Sequence, residues 1–154
     1  MPLTDVLTPN AILPALKGVS KKQILHELAS FAAGLAHLSE SDVFEALLQR
    51  ERLGSTGMGH GIAIPHGKMP KLNHLFGIFA RLEKPVDFEA LDGEPVDLIF
   101  LLLAPEGAGA DHLKALSRVA RALRDPAIAH KLRRSHDASA LYALLTQEQT
   151  ATAA

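Results

Sequence analysis

Leu98-Ile99-Phe100-Leu101-Leu102-Leu103 is the stretch that decides the fold. Six apolar residues in a row, with no polar alternation, fit a strand covered by helices on both faces. Phe76-Gly77-Ile78-Phe79-Ala80-Arg81-Leu82 is the other strong strand, and Asp92-Gly93 between the two is a turn signal. Upstream, Ile62–Ile64 forms a shorter apolar run, and Ile12-Leu13, among Pro2, Pro9, Pro14 and Gly18, suits an edge strand where proline is tolerated. Helical periodicity flanks these strands. Ser20 and Gln23 form a capping box ahead of Ile24, Leu28, Phe31, Leu35 and Leu38, which predicts a helix over 21–38. A second helix starts at Ser39 or Ser41, turns Val43, Phe44, Leu47 and Leu48 inward, and ends near Arg52 before Gly54. After Asp111, the residues Leu113, Leu116, Ala120 and Leu123 share one face. Asp125-Pro126 restarts a short helix, and Asp137 or Ser139 opens the last one through Leu141, Leu144 and Leu145. The expected fold is α/β, a three-layer α/β/α sandwich with a mostly buried central sheet. The expected domain is single and spans 1–146, followed by a disordered tail over 147–154 with nothing to bury.

Composition narrows the function classes. The 154 residues are 47% hydrophobic and 21% charged, with a net charge of −1 when histidine is neutral. No basic run is dense enough to suggest nucleic acid. There is no cysteine, hence no disulfide, thiolate nucleophile or Cys-based metal site. No apolar stretch approaches the ~20 residues that span a bilayer. The start Met1-Pro2-Leu3-Thr4-Asp5 lacks a basic, then apolar, leader, so the expected location is cytoplasmic.

Gly61-Ile62-Ala63-Ile64-Pro65-His66-Gly67-Lys68 carries the candidate chemistry. The run Ile62–Ile64 delivers the chain to a stop at which His66 stands between Pro65 and Gly67. Proline fixes φ, and the glycine is expected to let the backbone turn. A rigid, approachable neutral imidazole is suited to nucleophilic attack near pH 7. His112 would converge on it from the start of the helix after the Leu98–Leu103 strand, where free N–H groups favour an anion. Arg50, at the end of the second helix, adds a guanidinium. Ser55 and Thr56 add hydroxyls from a loop that holds Gly54, Gly57, Gly59 and Gly61. Lys68 follows the histidine closely. The set suits phosphoryl transfer, where the protein positions groups in line and stabilises charge on oxygen.

Each residue also has a plainer reading: His66 as a surface histidine beside a turn, His112 as a solvent-side helix residue, Arg50 as part of a solvated charged face, and Ser55 and Thr56 as ordinary loop positions. The glycines match neither a Walker A nor a dinucleotide pattern. His60 and His66 as a metal pair lack the usual nearby carboxylates or cysteines, so no metal and no other cofactor is expected.

The stretch Arg50-Glu51-Arg52-Leu53-Gly54-Ser55-Thr56-Gly57-Met58-Gly59-His60-Gly61-Ile62-Ala63-Ile64-Pro65-His66-Gly67-Lys68 resembles the signature of the enzyme IIA proteins of the fructose/mannitol class, from the bacterial phosphoenolpyruvate-dependent phosphotransferase system. The similarity runs from about Leu3 to about Leu145, takes in 95–105 and Asp111-His112-Leu113, and is greatest to the nitrogen-regulatory branch. The resemblance implies a mannitol-type IIA fold with a mixed central sheet. It implies that His66 accepts phosphate, as a tele-phosphohistidine, from an HPr-like phosphocarrier, and that His112 is a hydrogen-bonding neighbour. Arg50 falls near the phosphate, and Ser55, Thr56, Gly67 and Lys68 fall around it.

Sugar-transporting relatives need a cysteine-bearing IIB domain and a membrane domain, which this chain lacks. The implied output is therefore regulation of partner proteins by phosphorylation state. A free-standing IIA for sugar uptake and a binding module without phosphotransfer are the alternatives. A metal-dependent hydrolase built on His60 and His66 is a more distant one. Apolar residues are expected to flank His66 for donor docking, with Met58 and Met69 as candidates. Oligomeric state and downstream targets do not follow from the sequence.

Overall fold

The computed structural model describes residues 1–147 in full and the backbone of 148–153, which continues the last helix; of the expected tail, Ala154 lies outside the described residues. A 3-10 turn at Leu3–Asp5 leads into strand β1 (Ile12–Leu16). Helices α1 (Lys21–Ala36) and α2 (Glu40–Leu53) follow, then the short strands β2 (Gly57–Gly59), β3 (Ile62–Ala63) and β4 (His66–Met69). The long strands β5 (Phe76–Val86) and β6 (Val96–Pro105) come next, then helices α3 (Ala110–Arg124), α4 (Pro126–Arg134) and α5 (Ala138–Ala153).

The caps read from sequence form these helices. The Ser20 hydroxyl accepts from the Gln23 amide, but the Gln23 side chain closes the box on the Val19 amide, one residue further back than the standard motif. Ser39 caps α2, and Asp125 caps α4 with Pro126 at its first turn. Asp137 accepts from the Ala140 amide at the start of α5.

The sheet is six-stranded and mixed, in the order β1-β5-β6-β3-β2, with β4 also paired to β6. β5 and β6 run antiparallel at the centre, and β1 lies parallel to β5 on the edge, which is where Pro14 can be accommodated. Leu98 to Leu103 are all fully buried whichever face they point to. Both faces of β6 are therefore covered, and helices lie on both sides of the sheet.

Three local expectations are corrected. The glycine-rich segment is not all loop: Gly57–Gly59 pairs antiparallel with β3, and His60 and Gly61 turn the hairpin with φ of 57° and 78°. A two-residue turn with both central φ positive matches the twist of the flanking strands. The chain also does not turn away at His66. β3 pairs Ile62 with Leu98 and β4 pairs His66 with Leu102, so the same 36-residue offset to β6 persists across Ile64-Pro65 and the two act as one interrupted strand. Gly67 lies inside that strand without a positive φ and makes no turn; a Cβ there would stand 3.4 Å from the Cβ of Ala46 on α2, at the border of ordinary contact. On α3 the buried face is His112, Ala115, Arg118, Val119, Ala122 and Leu123, while Leu113 is 67% exposed.

Candidate functional site

The site forms where α2 ends, where Pro65 interrupts the strand beside β6, and where α3 begins. Pro65 presents its carbonyl to the Leu102 amide, so the backbone entering His66 is held by the sheet. The Ile64 amide turns the other way and donates to the Thr56 carbonyl. The Ile64 carbonyl, thereby oriented, takes the Nδ1 of His66 at 2.8 Å. A carbonyl only accepts, so Nδ1 carries the proton and the lone pair lies on Nε2. Arg50 donates its Nε to that Nε2 at 3.1 Å and its Nη1 to the Gly54 carbonyl at 2.8 Å. Two independent neighbours thus select the same neutral tautomer.

His112 packs edge-on against His66, with ring centroids 5.6 Å apart and planes 76° apart. Its ring is buried, and its Nε2 has no hydrogen-bond partner among the described residues. A buried polar atom left unpaired costs about 1–3 kcal/mol, so an orphan beside an open concavity marks a place for a ligand atom. Arg50, His66, Gly67, Lys68 and His112 line that concavity together, with Lys68 exposed at its edge.

The electrostatics keep both rings neutral. Burial pushes the His66 pKa below its ordinary value; the hydrogen bond to Ile64 opposes this, the Arg50 charge reinforces it, and the Glu51 charge opposes it. Burial also lowers the pKa of His112, assisted by the positive charge that His66 and Lys68 would place nearby.

Ser55 and Thr56 reach the rim of a second concavity that includes Arg50 and His66, but their hydroxyls are committed elsewhere. Ser55 Oγ donates to the Phe88 carbonyl and accepts from the Gly57 amide. Thr56 is buried, and its Oγ1 donates to Glu51. Both shape the loop and neither aims a free hydroxyl at His66, which corrects their expected phosphate contacts. Met69 is buried in the core and cannot serve a docking partner; Met58 does line the concavity.

Sequence reading missed Glu51, Leu53, Leu91 and Leu113. Leu53 and Leu91, 85% and 96% exposed, stand at the two concavities, and Leu113 follows His112. Glu51 was hidden in the charged run Gln49-Arg50-Glu51-Arg52, where solvated charge is the default; its following Gly54-Ser55-Thr56 loop was the available signal.

A sequence model described as phosphoenolpyruvate-dependent sugar phosphotransferase system, EIIA 2, matches residues 5–148. The chain belongs to that family. It is 66% identical over 145 residues to a nitrogen regulatory protein of Bradyrhizobium diazoefficiens, covering 94% of this chain and 95% of that one. Its structure is similar to that of the nitrogen regulatory protein IIA-Ntr from Neisseria meningitidis, with a TM-score of 0.88, 40% identity, and coverage of 94% and 99% of the two chains. Mannitol IIA of Escherichia coli shares the fold at 20% identity, with a TM-score of 0.77 and coverage of 90% and 98%. The EIIA 2 chain described here is thus a phosphocarrier of the nitrogen-related branch with the expected mannitol-type IIA fold. No helix among its described residues is long and apolar enough to cross a membrane.

Proposed function

We propose that this chain is a protein-histidine phosphotransferase of the cytoplasm that takes a phosphoryl group onto Nε2 of His66 from the phosphohistidine of an HPr-like phosphocarrier. The observation that carries this reading is the single lone pair on His66 Nε2, left by an Nδ1 proton held on the Ile64 carbonyl. It meets the Arg50 guanidinium, and the His112 ring packs edge-on beside it.

In the proposed step the donor's N–P bond breaks as the bond from phosphorus to His66 Nε2 forms. The proton stays on His66 Nδ1, still donated to the Ile64 carbonyl, which supports the positive charge that develops on the ring. Arg50 gives up Nε2 and turns its guanidinium to the phosphoryl oxygens, a charge-assisted contact suited to its planar fork. His112 Nε2 donates to an oxygen, and Lys68 adds a positive charge at the rim. No nucleotide enters the step. Leu53, Leu91, Leu113 and Met58 supply apolar surface for the donor around the reacting ring.

Phosphorylation places about two negative charges on this surface, so partner proteins docking there distinguish the two forms by charge. Regulation of such partners is the proposed output, as the identity to nitrogen regulatory proteins supports. The test is incubation with enzyme I, a phosphocarrier and phosphoenolpyruvate. The expected product is an acid-labile, alkali-stable phosphate at His66. Normal labelling of His66→Ala overturns the assignment, and efficient transfer onward to a cysteine-bearing IIB domain would favour the sugar-uptake reading.

A further inference from the structure

We infer that Glu51 is a positioning residue for the His66 site: its buried carboxylate, neutralised by Lys21, holds the backbone path that fixes both the His66 tautomer and the Arg50 guanidinium. The inference rests on the proposed chemistry for its kinetic consequence, but the positioning itself is a property of the unphosphorylated protein.

The Glu51 side chain is only 4% exposed and sits one residue after Arg50 on α2. Both of its oxygens are used on one residue of the following loop. Oε1 accepts from the Thr56 amide at 3.1 Å, and Oε2 accepts from the Thr56 hydroxyl. Lys21 on α1 brings its Nζ to 2.8 Å from Oε1. The same ammonium reaches the Phe88 carbonyl at 3.4 Å, which also accepts from Ser55. A buried carboxylate with a cation and two further donors is fully satisfied, which is the condition under which such a charge holds a geometry and does not merely cost stability.

Two branches lead from this anchor to the reacting groups. In the first, Thr56, gripped by Glu51, accepts from the Ile64 amide, and the Ile64 carbonyl then holds the His66 Nδ1 proton. In the second, the loop that Glu51 ties down presents the Gly54 carbonyl to Arg50 Nη1 at 2.8 Å, which leaves Arg50 Nε aimed at His66 Nε2. Without the carboxylate, nothing in the first branch restrains Thr56 from α2. The Ile64 backbone then loses its tie to the loop, its carbonyl shifts relative to the ring, and the contact that favours the Nδ1–H tautomer weakens. A carboxylate acting only as structural filler would alter thermal stability and leave that tautomer alone.

The experiment is ¹⁵N-histidine NMR on unphosphorylated Glu51→Ala, Glu51→Asp and Glu51→Gln proteins, paired with steady-state transfer from a phosphorylated carrier. Wild type is expected to show His66 almost wholly protonated at Nδ1. Glu51→Ala is expected to give a mixture of tautomers and a kcat lower by roughly 10²-fold at nearly unchanged KM, the scale that misplacement of reacting groups produces. Glu51→Gln keeps an acceptor for the Thr56 amide and is expected to restore the tautomer largely. Glu51→Asp, one methylene short of meeting both Thr56 groups, is expected to fall between, and it carries the test should Glu51→Ala not fold. A wild-type tautomer ratio in the folded Ala or Asp variant overturns the inference. That outcome would leave the phosphate-accepting role of His66 standing, because labelling of His66→Ala tests the latter separately.

Discussion

Arg50 Nε sits 3.1 Å from Nε2 of His66, so the cation caps the very lone pair that attacks in the proposed transfer. In the resting protein this contact selects the neutral ring. During transfer it must open, and the guanidinium then lies next to the arriving oxygens. Arg50→Ala is expected to lower kcat by roughly 10²–10³-fold, the scale for losing one charge-stabilising donor. Arg50→Lys is expected to recover little of it, since an ammonium cannot span the Gly54 carbonyl and the phosphoryl group at once. Rapid-quench transfer assays measure both, and a fully active lysine variant would remove the fork from the mechanism.

The orphaned Nε2 of His112 predicts a divergence between stability and activity. Replacing an unpaired buried polar group by an apolar one of similar size is close to neutral or stabilising. His112→Leu should therefore unfold within about 1 kcal/mol of wild type, or later, in urea. Transfer should slow while the phosphate still maps to His66. A large loss of stability would mean that the Nε2 is already partnered in solution.

Both rings have their pKa pushed down, chiefly by burial. The sign of the pH dependence follows. As pH falls, the unfolded chain takes up these protons near the ordinary value of about 6.5, before the folded protein does. Stability from the two neutral rings is complete above that value. It is lost as pH drops from there towards their lower folded pKa values. Urea titrations at a series of pH values should show stability falling with acidification in this window, with a shallower slope in His66→Ala. An identical slope in that variant would exclude His66 as a contributor.

Leu53 and Leu91 lie exposed at the two concavities, Leu113 is exposed next to His112 in the chain, and all three contribute little to the core. Single changes of each to serine should alter stability by no more than about 0.5 kcal/mol. They should raise KM for the phosphorylated carrier several-fold and leave kcat almost unchanged. Unaltered KM in all three would move the donor's footprint elsewhere on the surface.

Much of the architecture was legible because its causes are local. Ser20, Ser39, Asp125 and Asp137 cap helices through atoms two or three residues away; Ser20 and Asp125 read directly, and Ser39 and Asp137 were each one of two candidate positions. The unbroken apolar run of β6 announced its two covered faces. The misreadings have a common origin. Leu113 looked like core because it fits the periodicity, yet the burial of α3 is set by which stripe meets the sheet, and His112 and Ala115 occupy it. Ser55 and Thr56 looked like free hydroxyls because their acceptors, Phe88 and Glu51, are identified only once the loop is folded.

By itself, the sequence determined the candidate side chain and its setting: Pro65 before His66, the apolar strands around it, and a helix that begins just before His112. These depend on φ restriction, capping and hydrophobic periodicity, which act over a few residues. The tertiary structure alone showed why the lone pair of His66 lies on Nε2 and what surrounds it. That choice depends on Ile64, Thr56, Glu51 and Arg50 meeting through bonds whose geometry is fixed by the register of β4 on β6 and by the packing of α2. Directional contacts between distant segments leave no periodic trace in the chain, because an angstrom of displacement in space corresponds to nothing in the order of residues.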